Sequence, residues 1–154
     1  KNERSWSYDV TEQGYRYHMS NINAAIGLVQ IKKFEQMNKR KIDIAKRYDK
    51  EFAHIEGLSL LMMEYEDIGL FTYIIKVKNR RDELMVYLKE KGIGSGIHYI
   101  HVHHFTYYKN FMRNPLPITD RVYEQILTLP LYPDMTDEET NLVIKEIQSF
   151  FGKS

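Results

Sequence analysis

The chain has 154 residues, 43% of them hydrophobic and 28% charged, with a formal net charge of +1 and no cysteine. That composition suits one globular domain with a real core. It excludes disulfides, thiolate nucleophiles and thiolate metal sites, and near-neutral charge provides no overall field to recruit nucleic acid or an acidic membrane. No apolar run approaches the ~20 residues needed to cross a bilayer. The absence of cysteine fits a reducing compartment, and a cytoplasmic location is expected. The chain opens at Lys1 without a methionine, which reads as a boundary inside a longer protein.

Residues 1–19 show no helical period. Trp6, Tyr8, Tyr15 and Tyr17 alternate with polar residues, as in an extended arm that needs a surface to lie against. Ser20 suits a helix N-cap because its hydroxyl can accept from an unpaired backbone N–H. Beyond it Ile22, Ala25, Ile26, Val29, Phe34, Met37, Ile44, Ala45, Tyr48 and Phe52 recur at steps of three and four. That period predicts one long amphipathic helix reaching His54, roughly 50 Å at ~1.5 Å per residue, unless it breaks near Asn38. Its lysines and arginines at 32–33, 39–41 and 46–47 interleave with Glu35, Asp43, Asp49 and Glu51, so a solvated face is expected in preference to a nucleic-acid surface.

Gly57 ends that helix. Leu58–Glu64 and Leu70–Lys78 are expected as an antiparallel pair of strands, the second alternating Phe71, Tyr73, Ile75 and Val77. Asn79 is positioned to cap a helix carrying Leu84, Tyr87 and Leu88 and stopped by Gly92. Gly96–Val102 is expected as a third strand. A loop with Pro115 and Pro117 follows, then a short helix holding Val122 and Ile126. "LTLPLYPDM" is extended, and "TDEE" opens the last helix with a capping box, Thr136 to Glu139. The buried face of that helix is expected to hold Leu142, Val143, Ile147 and Phe150. The order α-β-β-α-β-α-α predicts an α+β fold: a small, mostly antiparallel sheet packed with helices and preceded by a long N-terminal helix.

Chemistry concentrates in "HYIHVHH". On a strand, His101 and His103 would share a face, a spacing compatible with two ligands of one metal. No cysteine helps and no carboxylate is close in sequence, so no metal site is assigned and a polar strand end is favoured. A pocket for a hydroxyl-rich or anionic ligand stands between those readings. Phe105, Tyr107, Tyr108 and Phe111 are expected to close the end of the core. No Gly-rich phosphate loop, nucleophile elbow or distinctively placed lysine occurs. No catalytic residue is therefore assigned within this chain.

Three stretches carry a resemblance. "GYRYHMSNINAAIGLVQIKKFEQMNKRK", "RDELMVYLKEKGIGSGIHYIHVHH" and "LTLPLYPDMTDEETNLVIKEI" resemble, in order and spacing, segments of the DegT/DnrJ/StrS family of pyridoxal-phosphate-dependent sugar aminotransferases. The resemblance implies the C-terminal small domain of an aspartate-aminotransferase-like fold, with 1–19 as an extended arm or inter-domain loop and 20–154 as the small domain. In that family the lysine that carries the cofactor lies upstream, in a large α/β domain. The resemblance therefore implies that pyridoxal phosphate belongs to the full-length enzyme, that it is not expected bound to this chain, and that this chain alone is inactive. The family's loop before the long helix reaches towards the cofactor phosphate of a partner subunit, which implies a homodimer and cofactor contacts from Arg16, Tyr17 and His18. The family's "H-Y-x-P-x-H" turn approaches the substrate, which places His98, Tyr99, His101 and His103 near it, with His101 standing where the family has proline. The implied substrates are a nucleotide-linked keto sugar and glutamate as amino donor, in surface polysaccharide or glycoside biosynthesis. Two alternatives stay open: a sugar dehydratase of the same superfamily, and a non-catalytic ligand-binding or interaction module.

Overall fold

The computed structural model describes residues 15, 17–111 and 113–152. Trp6 and Tyr8 of the expected arm lie outside them. The chain divides into two compact units, Lys1–Phe34 and Glu35–Ser154, and the boundary falls inside the first helix.

Helix α1 runs unbroken over Asn21–Phe52. Ser20 caps it as expected: its Oγ accepts from the Asn23 N–H at 3.2 Å and its carbonyl from the Ala24 N–H at 2.9 Å. In the first unit the apolar residues of α1 are uncovered, with Ile22 74%, Ile31 73% and Phe34 50% exposed. In the second unit the same periodicity is used for burial, and Ile44, Ala45, Tyr48 and Phe52 enter the core.

The second unit is built on a three-stranded antiparallel sheet: β1 (Leu58–Leu60), β2 (Tyr73–Val77) and β3 (Ile126–Leu129), in that order. Leu58 faces Val77, and Tyr73 and Ile75 face Leu129 and Leu127. Tyr73, Ile75 and Val77 are buried while Ile74 and Lys76 are half-buried, the alternation that a sheet with one core face imposes. Phe71, expected in that alternation, precedes the strand and is 73% exposed.

The third strand is not Gly96–Val102. That segment makes a single bridge, Gly96 to Thr128, with N–H···O distances of 2.7 and 3.2 Å, and then leaves the sheet. Its place is taken by Ile126–Leu129, whose Leu127 and Leu129 fill the core. Ile126 is therefore a strand residue, not the last apolar residue of a helix.

Helix α2 (Arg81–Glu90) buries Leu84 and Leu88. Its N-cap is Arg80, in the left-handed region at φ 65°, and not Asn79. Gly92 stops it with φ 76°, a conformation glycine adopts without steric cost. Helix α3 (Pro117–Gln125) starts on a proline, whose fixed φ suits the first turn. Helix α4 (Asp137–Phe151) carries both halves of the expected capping box: Thr136 Oγ1 accepts from the Glu139 N–H at 3.1 Å, and Glu139 accepts from the Thr136 N–H at 2.8 Å. Val143, Ile147 and Phe150 are buried as expected, joined by Thr140, Ile144 and Glu146, whereas Leu142 is 43% exposed.

Polar side chains of α1 hold this unit together. The Asn38 amide donates to the Ile68 carbonyl at 2.6 Å and its oxygen accepts from the Leu70 N–H at 2.8 Å, splinting the segment that enters β2. Arg40 donates to the Met135 carbonyl from Nε (3.2 Å) and from Nη2 (2.6 Å), and to Asp137 at 2.9 Å. Lys41 reaches the Leu70 carbonyl and Arg47 reaches Asn141. These cations are ties to neighbouring segments and not simply a solvated face.

Candidate functional site

The segment that leaves the sheet after Gly96 carries most of the chemistry. Its first polar side chain is anchored: His98 Nδ1 lies 3.0 Å from Thr128 Oγ1 on β3. The Tyr99 ring packs edge-on against His98 at 4.9 Å and is 69% exposed, so its hydroxyl faces outward. Two short 3-10 turns follow, Val102–His104 and Tyr108–Phe111.

The turn Val102–His104 folds three imidazoles together instead of alternating them along a strand. The rings of His101, His103 and His104 lie with centroids 3.8–4.7 Å apart. Helix α3 adds a carboxylate: the Nε2 atoms of His101, His103 and His104 lie 3.2, 2.8 and 3.0 Å from Asp120 Oδ1. The His101 side chain is 7% exposed, packed edge-on against Tyr123 at 4.2 Å, and neither of its ring nitrogens has a hydrogen-bond partner. Burial, and then the crowding of His104 and His103, hold its proton affinity below the ordinary histidine range against the pull of Asp120. The hydrogen bond from His103 is the main reason the Asp120 carboxyl lies below its ordinary range.

Asp120 was not found from the sequence because it lies beyond the proline loop. The available signal was the helix start at Pro117, which puts Asp120 in the first turn of α3. On its other side His103 borders an open recess lined by Val102, Tyr108, Phe111, Arg113, Asn114 and Leu116. The aromatics expected to close the core's end pack on one another here. Tyr107 lies 5.1 Å from Tyr108 and 5.6 Å from Phe111, and they stay 70, 46 and 66% exposed.

Of the residues expected at the cofactor, Arg16 lies outside the described residues. Tyr17 is 87% exposed and tilts against Tyr15 at 6.2 Å, and His18 is exposed. Tyr17 and His18 lie outside regular secondary structure just before α1, and as exposed side chains they offer an edge to a cofactor. Every lysine whose surroundings are described is exposed or half-buried, so none is a desolvated amine.

These features define an α+β fold: a small antiparallel sheet packed with helices, with imidazole, phenol and guanidinium groups at one loop edge. The sequence profile of the DegT/DnrJ/EryC1/StrS aminotransferase family matches residues 1–148, and the chain belongs to that family. An uncharacterised protein of Methanocaldococcus jannaschii is 33% identical over 99% of this chain and 42% of its own length. A protein assigned as a sugar aminotransferase in Streptococcus pneumoniae, solved in its PMP-form, is 30% identical with a TM-score of 0.82, over 97% of this chain and 39% of its own. A sugar aminotransferase from Micromonospora echinospora is 28% identical with a TM-score of 0.81, over 92% of this chain and 38% of its own. The chain thus spans about two-fifths of the length of the relatives it matches. Its fold is that of part of an aminotransferase, as expected from its motifs.

Proposed function

We propose that this chain is the C-terminal small domain, residues 20–154, with an arm at 1–19, of a pyridoxal-phosphate-dependent aminotransferase that acts on a nucleotide-linked keto sugar with glutamate as amino donor. The observation that carries the reading is the superposition of 97% of this chain on 39% of the Streptococcus pneumoniae protein assigned as a sugar aminotransferase and solved in both PLP- and PMP-forms. Pyridoxal phosphate, when bound, supplies the electron sink through which an amino group is handed from donor to keto acceptor. The described residues fit that group only as an edge. Tyr17 and His18, with Arg16 beside them, would add donors to one side of its phosphate, near the N-terminus of α1.

On the substrate side, His98 and Tyr99 are the groups best placed to act. His98 is fixed through Nδ1 by Thr128, and Tyr99 presents its hydroxyl outward, so both can donate to sugar hydroxyls or a diphosphate. Behind them His103 borders a recess with exposed aromatics and Arg113, a combination suited to a flat base and an anionic linker. His101 is turned inward and would support this edge without touching substrate. The uncovered apolar stripe of α1, with Ile22, Ile26 and Phe34, supports a docking surface for the large domain and for a second subunit.

Because no described lysine is buried, the chain alone is expected to lack transaminase activity. Borohydride reduction with pyridoxal phosphate should label its lysines only in a scattered, substoichiometric way, read by peptide mass spectrometry. Stoichiometric labelling of a single lysine of this chain would overturn the reading. In the full-length enzyme, Tyr99→Phe and His98→Ala should raise KM for the nucleotide sugar several-fold and leave KM for glutamate unchanged. Equal effects on both substrates would remove them from the sugar side.

A further inference from the structure

Three imidazoles and one carboxylate converge on a single point at the junction of the Val102–His104 turn with α3. The four ligand atoms all lie within 4.8 Å of one another. One carboxylate oxygen stands 2.8–3.2 Å from three Nε2 atoms, yet both nitrogens of the buried His101 are without a hydrogen-bond partner. Leaving a buried polar group unpaired costs about 1–3 kcal/mol, so a folded chain that keeps one invites an explanation. A bound anion does not supply it, because Asp120 lies at the centre and would repel one. A cation does.

We propose that His101, His103, His104 and Asp120 bind one first-row divalent transition metal, zinc in its four-coordinate form, which ties the turn to helix α3. With metal–ligand bonds of about 2.0–2.1 Å, tetrahedral donor atoms sit roughly 3.3 Å apart, so small outward shifts of the imidazoles from Asp120 open the space. Imidazole with one carboxylate is a donor set suited to zinc, cobalt and nickel, and four protein ligands make a closed, structural site. The inward position of His101 against Tyr123 gives one ligand a rigid mount. Arg81 fixes the far end of α3 by donating to the Tyr123 and Ile126 carbonyls at 3.1 and 3.2 Å. The proposal does not depend on the sugar-aminotransferase reading, and its test reads binding and not turnover.

The test is calorimetric titration of the metal-stripped full chain with zinc alone, paralleled by cobalt(II), whose visible absorption reports four-coordination. One equivalent is expected to bind, with a rise in Tm. Partners that only orient a ligand are worth about 10- to 100-fold in affinity, so loss of a direct ligand should weaken binding by at least about 100-fold. His101→Ala risks the packing against Tyr123. His104→Ala, at a side chain 53% exposed, and Asp120→Asn are therefore the variants to read, with folding checked by circular dichroism. His54→Ala, at an exposed histidine remote in sequence, should bind as the parent does. Failure of the parent chain to bind one equivalent of zinc or cobalt overturns the proposal, as does binding that survives either His104→Ala or Asp120→Asn.

Discussion

Asp49→Ala should be the most informative single polar substitution in the second unit. From α1 its two carboxylate oxygens each accept one phenol: Tyr65 at 2.6 Å and Tyr73 at 2.7 Å. Tyr73 is 4% exposed, packs tilted against Tyr48 at 5.0 Å, and is the first residue of β2, so Asp49 fixes the end of α1 against the start of that strand. A hydrogen bond to a charged group contributes about 1.5–3 kcal/mol, and an orphaned buried hydroxyl costs about 1–3 kcal/mol. Tyr65 is only half-buried and can turn to water, so its share is small. The sum for Asp49→Ala is a loss of about 2–4 kcal/mol, measured by equilibrium urea unfolding. Tyr73→Phe removes the orphan, so the double variant should be less destabilised than the sum of the singles by about 1–2 kcal/mol. A loss below about 0.5 kcal/mol, or a cycle that closes additively, would refute the view that this triad anchors the helix.

The same triad sets an alkaline limit. Burial and then the bond to Asp49 hold both phenols above the ordinary tyrosine range, so the folded chain keeps protons that the unfolded chain releases. Stability should be level below that range and fall as pH rises through it, with a shallower fall in Tyr73→Phe, read from urea midpoints across pH. At α4, Thr136→Ala should cost about 1 kcal/mol through loss of the cap. The Glu139 carboxyl is held below its ordinary range, first by the Thr136 N–H and then by the Tyr132 hydroxyl. Its contribution is present above that range and lost as pH falls, so Glu139→Gln should flatten the acid limb of the stability curve. Leu88→Ala, at a side chain with no exposure beside the sheet, should lower stability by about 2–5 kcal/mol without changing the far-UV spectrum.

The elements most legible in the sequence were those fixed by local rules. A long run of three- and four-residue spacing gave α1 from Ser20 onward, and the Thr136–Glu139 pairing gave the start of α4, because caps and helical periods are short-range properties. Gly92 marked the end of α2 for the same reason. The third strand was misplaced because "GIHYIHV" and "LTLPL" have similar strand character, and only pairing with β2 selects between them. Leu127 and Leu129 bury fully against Ile75 and Tyr73, whereas a paired "GIHYIHV" would set histidines beside a core strand. The exposed aromatics at 105–111 show the same limit, since composition marks a residue as apolar without saying what will cover it.

Sequence by itself determined the class of this protein, since motifs in register and helical spacing are written along the chain and need no folding to be read. Which groups meet was decided only in three dimensions. Asp120 reaches the histidines because α3 folds back to the turn at Val102–His104, and Asp49 meets Tyr65 and Tyr73 because the last turns of α1 pack against the start of β2. Contacts between residues far apart in sequence depend on the path of everything between them, and that path is set by the burial of the whole core.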